Sequence, residues 1–202
     1  MGDALDGRHA INPEVIALLE QVGWASRPSS NHDPASKTGG TPIPPFKLIA
    51  NLPYNIASPL LANLALDHSA MSAAVVMIQK EVADRLLAPP GTKAYGPLGI
   101  LLQAIFEVSR VGVLKPGCFY PPPTIDSAVV ALHRRPTPVC ADPHAFSKLL
   151  HELFSKRRKQ LGAILGRNTP LPDGVEPTMR PEVLTLGQLC ELAVIRARSV
   201  SE

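Results

Sequence analysis

Apolar residues recur along the chain with two different spacings, which predict strands and helices. Short, mostly apolar runs at residues 46–50 and 73–78 are typical of buried strands, and the first has the character of a parallel strand covered on both faces. Between them, leucines with helical spacing follow Ser58 and Pro59. Strand, helix, strand in this order predicts a βαβ unit with a right-handed crossover and a parallel sheet.

The remaining pattern adds helices on both sides of this unit and two later strands. Upstream we predict a capped helix over residues 12–23 and a flexible surface loop over residues 25–45, which are rich in Pro, Ser and Gly. Downstream we predict helices over residues 81–87 and 97–108, strands over 111–114 and 127–133, and helices from about 149 to 165 and 186 to 198. The pattern indicates an α/β domain over residues 1–136 and a small helical domain over residues 137–202.

Composition excludes several classes of protein. The 202 residues are 45% hydrophobic, which is typical of a globular protein, yet no apolar run approaches the roughly 18 residues of a membrane span. The N-terminus lacks the features of a signal peptide, so we expect a cytoplasmic protein without membrane contact. The three cysteines and six histidines are scattered, and we therefore expect no metal site.

Positive charge is concentrated in one part of the chain. The formal net charge is only +3, but between positions 134 and 167 the only acidic residues are Asp142 and Glu152. The basic residues of this stretch are Arg134, Arg135, Lys148, Lys156, Arg157, Arg158, Lys159 and Arg167. Such a surplus suits a polyanion, because every neutralised phosphate releases counterions.

The tetrapeptide Asn51-Leu52-Pro53-Tyr54 stands where the first predicted strand ends, a place where open α/β sheets bind ligands. It suits methylation of an exocyclic amine. The Asn51 side-chain carbonyl and a backbone carbonyl, from Leu52 or Pro53, can accept both amine hydrogens and direct the lone pair. Pro53 restrains the turn, and Tyr54 offers a face on which an extruded base can stack. The structural alternative is a turn with one buried aromatic residue.

Five segments in order resemble one known family. They are NLPYNIASPLL, QKEVADRL, PGTKAYGPLG, FYPPPTIDSAVV and FSKRRKQL. Together they resemble the bacterial ribosomal RNA adenine dimethyltransferases, which have eukaryotic and mitochondrial relatives. The resemblance covers nearly all of the chain from Phe46 onward.

The resemblance implies an enzyme of ribosome biogenesis. Family members transfer two methyl groups from S-adenosylmethionine to each of two adjacent adenosines near the 3′ end of small-subunit (16S) ribosomal RNA. By this likeness Asn51 contacts both cofactor and target amine, Tyr54 stacks on the target adenine, and Phe119 forms a second aromatic wall. Asp3 resembles the acid that accepts a hydrogen bond from the adenine of the cofactor. We expect a monomer that acts on the 30S precursor particle.

The resemblance also implies RNA-binding residues. Lys80, Arg85 and Lys93 fall in segments that face the RNA in the family. The run Lys156, Arg157, Arg158 and Lys159 matches the start of a C-terminal helical RNA-binding domain. The alternative for this run is an ordinary solvated helix face.

The chain departs from the family pattern at its N-terminus. A Rossmann-type methyltransferase binds the cofactor with a Gly-rich turn after its first strand, and nothing before Asp3 supplies one. We therefore expect a partial Rossmann-type methyltransferase domain, its first strands missing, followed by the helical domain. The reading frame begins at an internal methionine or the protein is a degenerate relative, and the intact later motifs favour the former. We expect an exposed apolar edge and faces, poor folding, and little methylation by these residues alone.

Three other functions remain open from the sequence. A dimethyltransferase of 23S ribosomal RNA that confers antibiotic resistance shares the Asn-Leu-Pro-Tyr type of motif. A non-catalytic RNA-binding assembly factor would use the basic surface without the cofactor. The third is an α/β domain without a role in nucleic-acid binding.

Overall fold

A computed structural model of the chain describes residues 5–6, 10–11 and 44–200, with side chains for residues 44–198. Asp3, the helix predicted over residues 12–23 and residues 25–43 of the predicted loop lie outside the described residues. Two short strands, β1 (Leu5–Asp6) and β2 (Ala10–Ile11), pair antiparallel and stand apart from the main sheet.

Four strands form the main sheet of the described residues, in the order β3-β4-β6-β5. They are β3 (Phe46–Asn51), β4 (Met71–Gln79), β5 (Phe106–Leu114) and β6 (Ser127–Arg134). β3 and β4 run parallel and are joined by helix α1 (Ala57–Asp67), so the predicted strand–helix–strand unit is confirmed. β6 is antiparallel to both β4 and β5, which makes the sheet mixed; the expectation of a parallel sheet holds only for the first pair.

Two helices connect β4 to β5: α2 (Lys80–Leu86) and α3 (Pro97–Ile105). The helix predicted over residues 97–108 is three residues too long, since β5 already begins at Phe106. Phe106 pairs with Arg134, and its buried ring lies 4.6 Å from the Arg134 guanidinium carbon. Pairing along β6 favours the strand here, although the apolar spacing of the preceding leucines continues into this stretch.

The described residues cover only one face of the sheet. Val76 and Ile78 of β4 are fully buried and join Leu61 of α1 and Leu102 of α3 in one hydrophobic cluster. On the other face Ile49 of β3 is 83% exposed, and Val75, which pairs with it in β4, is 37% exposed. The expectation that β3 is covered on both faces is therefore wrong for the described residues, while an exposed apolar face is confirmed. Because side chains alternate along a strand, Asn51 belongs to this open face.

Beyond residue 136 the described chain is helical, as predicted. It contains α4 (Pro143–Ser155), the short α5 (Leu161–Leu165), a 3-10 turn (Pro181–Val183) and α6 (Leu186–Val200). The Asp142 carboxylate caps α4 by accepting from the His144 and Ala145 amides at 2.9 and 3.0 Å. Phe146 and Leu150 of α4 pack into the same hydrophobic cluster as Leu102 of α3. Among the described residues no helix is both long and apolar enough to cross a membrane.

Candidate active site

Asn51 is the last residue of β3, at the end of the sheet where β3 and β4 finish. We call this the carboxyl end; it also contains Gln79 and Ser127, which pair with each other across β4 and β6. The Leu52 amide donates to the Met77 carbonyl at 3.1 Å and so continues the pairing one residue beyond β3. The Asn51 side chain is exposed, and within the described residues its side-chain carboxamide group makes no hydrogen bond. Both of its polar atoms are therefore available to a ligand.

The two backbone carbonyls proposed beside Asn51 differ in their surroundings. The Pro53 carbonyl accepts from the Ile56 and Ala57 amides at 3.2 and 3.1 Å, which starts helix α1. Among residues 44–200, no amide donates to the Leu52 carbonyl. Of the two, the Leu52 carbonyl is therefore the better acceptor for an amine, while Pro53 connects the strand to the helix.

Tyr54 is held by a residue that the sequence did not single out. Its phenol oxygen lies 2.8 Å from the Oγ of Ser127, and Ser127 is only 1% exposed. Ser127 is a buried polar residue at the start of β6, whose other buried members are apolar. A serine that opens a mostly apolar strand is the only signal in the sequence, and it does not reveal a partner 73 positions away. The bond fixes the position of the Tyr54 ring, which is half-buried.

Phe119 lies in the connection between β5 and β6, which crosses the carboxyl end of the sheet. β5 ends with Leu114 opposite Ser127, and the Lys80 amide donates to the Asp126 carbonyl at 2.9 Å. Phe119 is half-buried, and its amide donates to the Pro116 carbonyl at 3.1 Å. The structure thus brings Asn51, Tyr54 and the segment that carries Phe119 to one end of the sheet, although the two aromatic rings are not in contact.

Two of the predicted RNA-binding residues, Lys80 and Arg85, lie on helix α2 and are paired with acids. Lys80 Nζ lies 2.7 Å from Asp84 Oδ2, and the hydrogen bond from Lys80 is the largest cause of a lowered pKa at Asp84. Arg85 forms an ion pair with Glu81 on the exposed side of the helix. Both cations remain partly or largely exposed, so a phosphate would compete with these carboxylates for them.

Four other predicted RNA-binding residues are exposed and form no ion pair among the described residues. They are Lys93, Lys156, Arg158 and Lys159. Arg157 differs from them, because its guanidinium donates to the Thr92 and Lys93 carbonyls at 2.9 Å each. These contacts bring the loop between α2 and α3 next to the basic run that follows α4.

Helices α3 and α4 each have one terminus at the end of the sheet opposite the carboxyl end. Helix α3 ends at Ile105, next to Phe106, which pairs with Arg134 at that end. Helix α4 begins there, where His144 Nε2 is 3.5 Å from Asp67 Oδ1 at the end of α1. The loop that carries Lys93 precedes the other terminus of α3, and the basic run follows the other terminus of α4.

Two arginines of the basic stretch serve the fold at the opposite end. Arg134 donates to the carbonyls of Met71, His68 and Ala65 at 2.7, 3.1 and 3.3 Å. Arg135 donates to the Gln103 carbonyl at 3.2 Å. The charge surplus counted from the sequence therefore overstates the number of cations available to a polyanion.

The described residues fit S-adenosylmethionine only in part. Asn51 has an unbonded amide beside the proposed amine position, which suits a residue that contacts both reactants. Asp3 lies outside the described residues. The described glycines nearest to a Gly-rich turn, Gly91 to Gly99, lie in the connection between α2 and α3 and in the first turn of α3, rather than after a strand of the parallel pair. Within the described residues no three His, Cys, Asp or Glu side chains come together as a metal site.

Comparison with known proteins identifies the family. Residues 37–187 match the family described as "Ribosomal RNA adenine dimethylase". The chain belongs to this family. The resemblance inferred from the five segments, with Asn51-Leu52-Pro53-Tyr54 as its first motif, is thereby confirmed.

Relatives of established name support the same assignment. A protein named ribosomal RNA small subunit methyltransferase A from Syntrophotalea carbinolica is 42% identical over an alignment of 162 positions, which covers 74% of this chain and 61% of that relative. Its namesake from Xanthomonas euvesicatoria pv. vesicatoria is 44% identical over an alignment of 151 positions, which covers 73% of this chain and 56% of the relative. The chain thus spans little more than half the length of these relatives.

Two solved structures share the fold. A dimethyladenosine transferase from Plasmodium falciparum superposes with a TM-score of 0.56 at 35% identity, covering 65% of this chain and 48% of that one. The 23S rRNA methyltransferase ErmE gives a TM-score of 0.58 at 22% identity over 93% of this chain and 80% of its own. The second likeness concerns the fold alone. Together they confirm the predicted Rossmann-type α/β methyltransferase fold.

Proposed function

We propose that this chain holds the target adenine in an enzyme that methylates N6 of adjacent adenosines near the 3′ end of 16S ribosomal RNA during ribosome biogenesis. One observation carries the proposal: the exposed, unbonded Asn51 amide ends β3 beside an unbonded Leu52 carbonyl and a Tyr54 fixed by Ser127. Membership of the adenine dimethylase family supports the same reaction. The substrate would be the 30S precursor particle in the cytoplasm, bound by a monomer.

The chemistry follows from the weakness of the nucleophile. The N6 lone pair of adenine is delocalised into the ring, so the amine must be held and polarised before it attacks. The Asn51 side-chain oxygen and the Leu52 carbonyl would each accept one N6 hydrogen, which directs the lone pair away from the ring plane. S-adenosylmethionine supplies the electrophilic methyl group when it is bound. The proton released from N6 leaves after transfer, and no strong base is required.

Tyr54 and Phe119 would hold the base that is turned out of its stack. Stacking on an aromatic side chain contributes about 1 to 3 kcal/mol per base, comparable to the cost of unstacking it. The bond from Ser127 restrains the Tyr54 ring before the base arrives, so less conformational entropy is lost on binding.

The RNA would lie across the carboxyl-end side of the molecule. We propose Lys80, Arg85, Lys93, Lys156, Arg158 and Lys159 as phosphate contacts, with Arg157 acting through the loop between α2 and α3 that carries Lys93. Residues 1–136 would form the methyltransferase domain, and residues 137–202 the RNA-binding domain. Asp3 and Asn51 would contact the cofactor.

The test is a comparison of two substrates. The natural protein that contains this chain is incubated with S-adenosylmethionine and either small- or large-subunit particles that lack the modification, and the nucleosides are then analysed by mass spectrometry. We expect dimethyladenosine in the small-subunit RNA only. Dimethyladenosine in 23S RNA would instead indicate the large-subunit enzyme, and RNA binding without any methylation would indicate an assembly factor.

A further inference from the structure

The loop between α2 and α3 is fastened to the C-terminal helical segment at several points. Arg157 Nη1 and Nη2 donate to the carbonyls of Lys93 and Thr92, both at 2.9 Å. The Gly91 amide donates to the Glu182 carbonyl at 2.7 Å. We call residues 89–96 the Lys93 loop.

Tyr95 adds an anchor at the end of the Lys93 loop. Its phenol donates to the Leu184 carbonyl at 3.1 Å, and its ring meets that of Phe154 edge to face at 6.2 Å. Tyr95 is only 2% exposed, and burial raises its pKa to about 12. The loop is therefore held at both ends and in the middle, while the Lys93 side chain between these anchors is exposed.

The charge of Arg157 is already compensated within the chain. Its Nε lies 3.8 Å from Glu182 Oε2, an atom that is buried and accepts no hydrogen bond in the described structure. A buried carboxylate oxygen without a donor is costly unless a positive charge stands near it. Arg157 supplies that charge, and removing it to bind a phosphate would leave Glu182 unpaired. Arg158 and Lys159 are exposed and have no such partner.

We infer that Arg157 is a positioning residue, which orders the Lys93 loop so that Lys93 meets an RNA phosphate, and does not bind phosphate itself. The inference rests on the proposed RNA-binding function. It divides the basic run into one internal clamp, Arg157, and outward-facing cations at Lys156, Arg158 and Lys159. The planar guanidinium matters because two parallel carbonyl contacts require its fork, which a lysine ammonium cannot reproduce.

The salt dependence of RNA affinity separates positioning from direct contact. Each phosphate contact contributes about 0.7 to 0.9 to the slope of log affinity against log salt. The measurement is binding of the natural protein to unmethylated small-subunit particles at fixed magnesium and varied salt. We expect Lys93→Ala to lower the magnitude of the slope by the contribution of one phosphate contact, which we call one step. Arg157→Lys, which keeps the charge, should lower it by the same step. The double variant should lower it no further.

Arg158→Ala is the matched control for a direct phosphate contact. It should lower the slope by one step, and this loss should add to the loss caused by Lys93→Ala in a double variant. Thermal unfolding of each variant checks that the fold persists, and Arg157→Lys is chosen since it keeps the aliphatic stem. A wild-type slope for Arg157→Lys, or a double variant that loses two steps, would overturn the positioning role while the proposed function stands. A wild-type protein without salt-dependent RNA binding would overturn both.

Discussion

At the scale of single residues, Ser127 restrains Tyr54, the residue on which we propose that the target adenine stacks. The 2.8 Å bond joins a turn after β3 to the first residue of β6, and Ser127 is buried. A net hydrogen bond of this kind contributes about 1 kcal/mol. Its loss would act on the position of the ring rather than on the stacking surface itself.

We therefore expect Ser127→Ala and Tyr54→Phe each to lower methyl transfer by about fivefold, the equivalent of that 1 kcal/mol. The double variant should be no worse than either single one, because both remove the same bond. Ser72→Ala is the control: its Oγ donates to the Phe46 carbonyl at 3.0 Å at the opposite end of the same sheet, and activity should be unchanged. Additive losses would mean that Ser127 and Tyr54 act independently.

At the scale of elements, α2 and α3 cross so closely that only glycine fits at position 99. A Cβ atom there would lie 2.3 Å from the Arg85 carbonyl oxygen, which is backbone and cannot rotate away. The crossing sets where the Lys93 loop leaves α2 and where α3 begins. It therefore links the packing of two helices to the proposed RNA surface.

Gly99→Ala should lower the free energy of unfolding by about 2 kcal/mol or more, because the helices must move apart. Gly187→Ala provides the matched control, since nothing lies within 4 Å of its Cβ position in α6. Alanine is the better helix former by about 1 kcal/mol, so this variant should be slightly more stable. Chemical denaturation of both measures the difference. Equal effects at the two positions would contradict the close crossing.

At the scale of the whole molecule, the carboxyl end of the sheet gathers the proposed chemistry while the opposite end holds the fold together. Asn51, Tyr54 and the Phe119 segment meet at the first. Arg134 and its three carbonyl partners lie at the second. The basic residues therefore divide into a set that stabilises the fold and an exposed set that we propose binds RNA.

Much of this arrangement could be predicted from local sequence. The strand before Asn51, the helix after it and the helical segment beyond residue 136 follow from apolar spacing, since each buries one recurrent face. The start of β5 could not be predicted, because Phe106 continues the helical spacing and only pairing with Arg134 makes it a strand. The Ser127–Tyr54 bond and the Arg157 clamp were equally hidden, since each joins residues more than sixty positions apart.

The central claim is that Asn51 holds the target amine, and Asn51→Ala tests it most directly. The measurement is dimethyladenosine formed in small-subunit particles by the natural protein, with particle affinity measured in parallel and Asn168→Ala as an exposed control. We predict a loss of methyl transfer of at least about 100-fold, because the amine is no longer oriented, with affinity unchanged. Methyl transfer by Asn51→Ala at the wild-type rate would contradict the account.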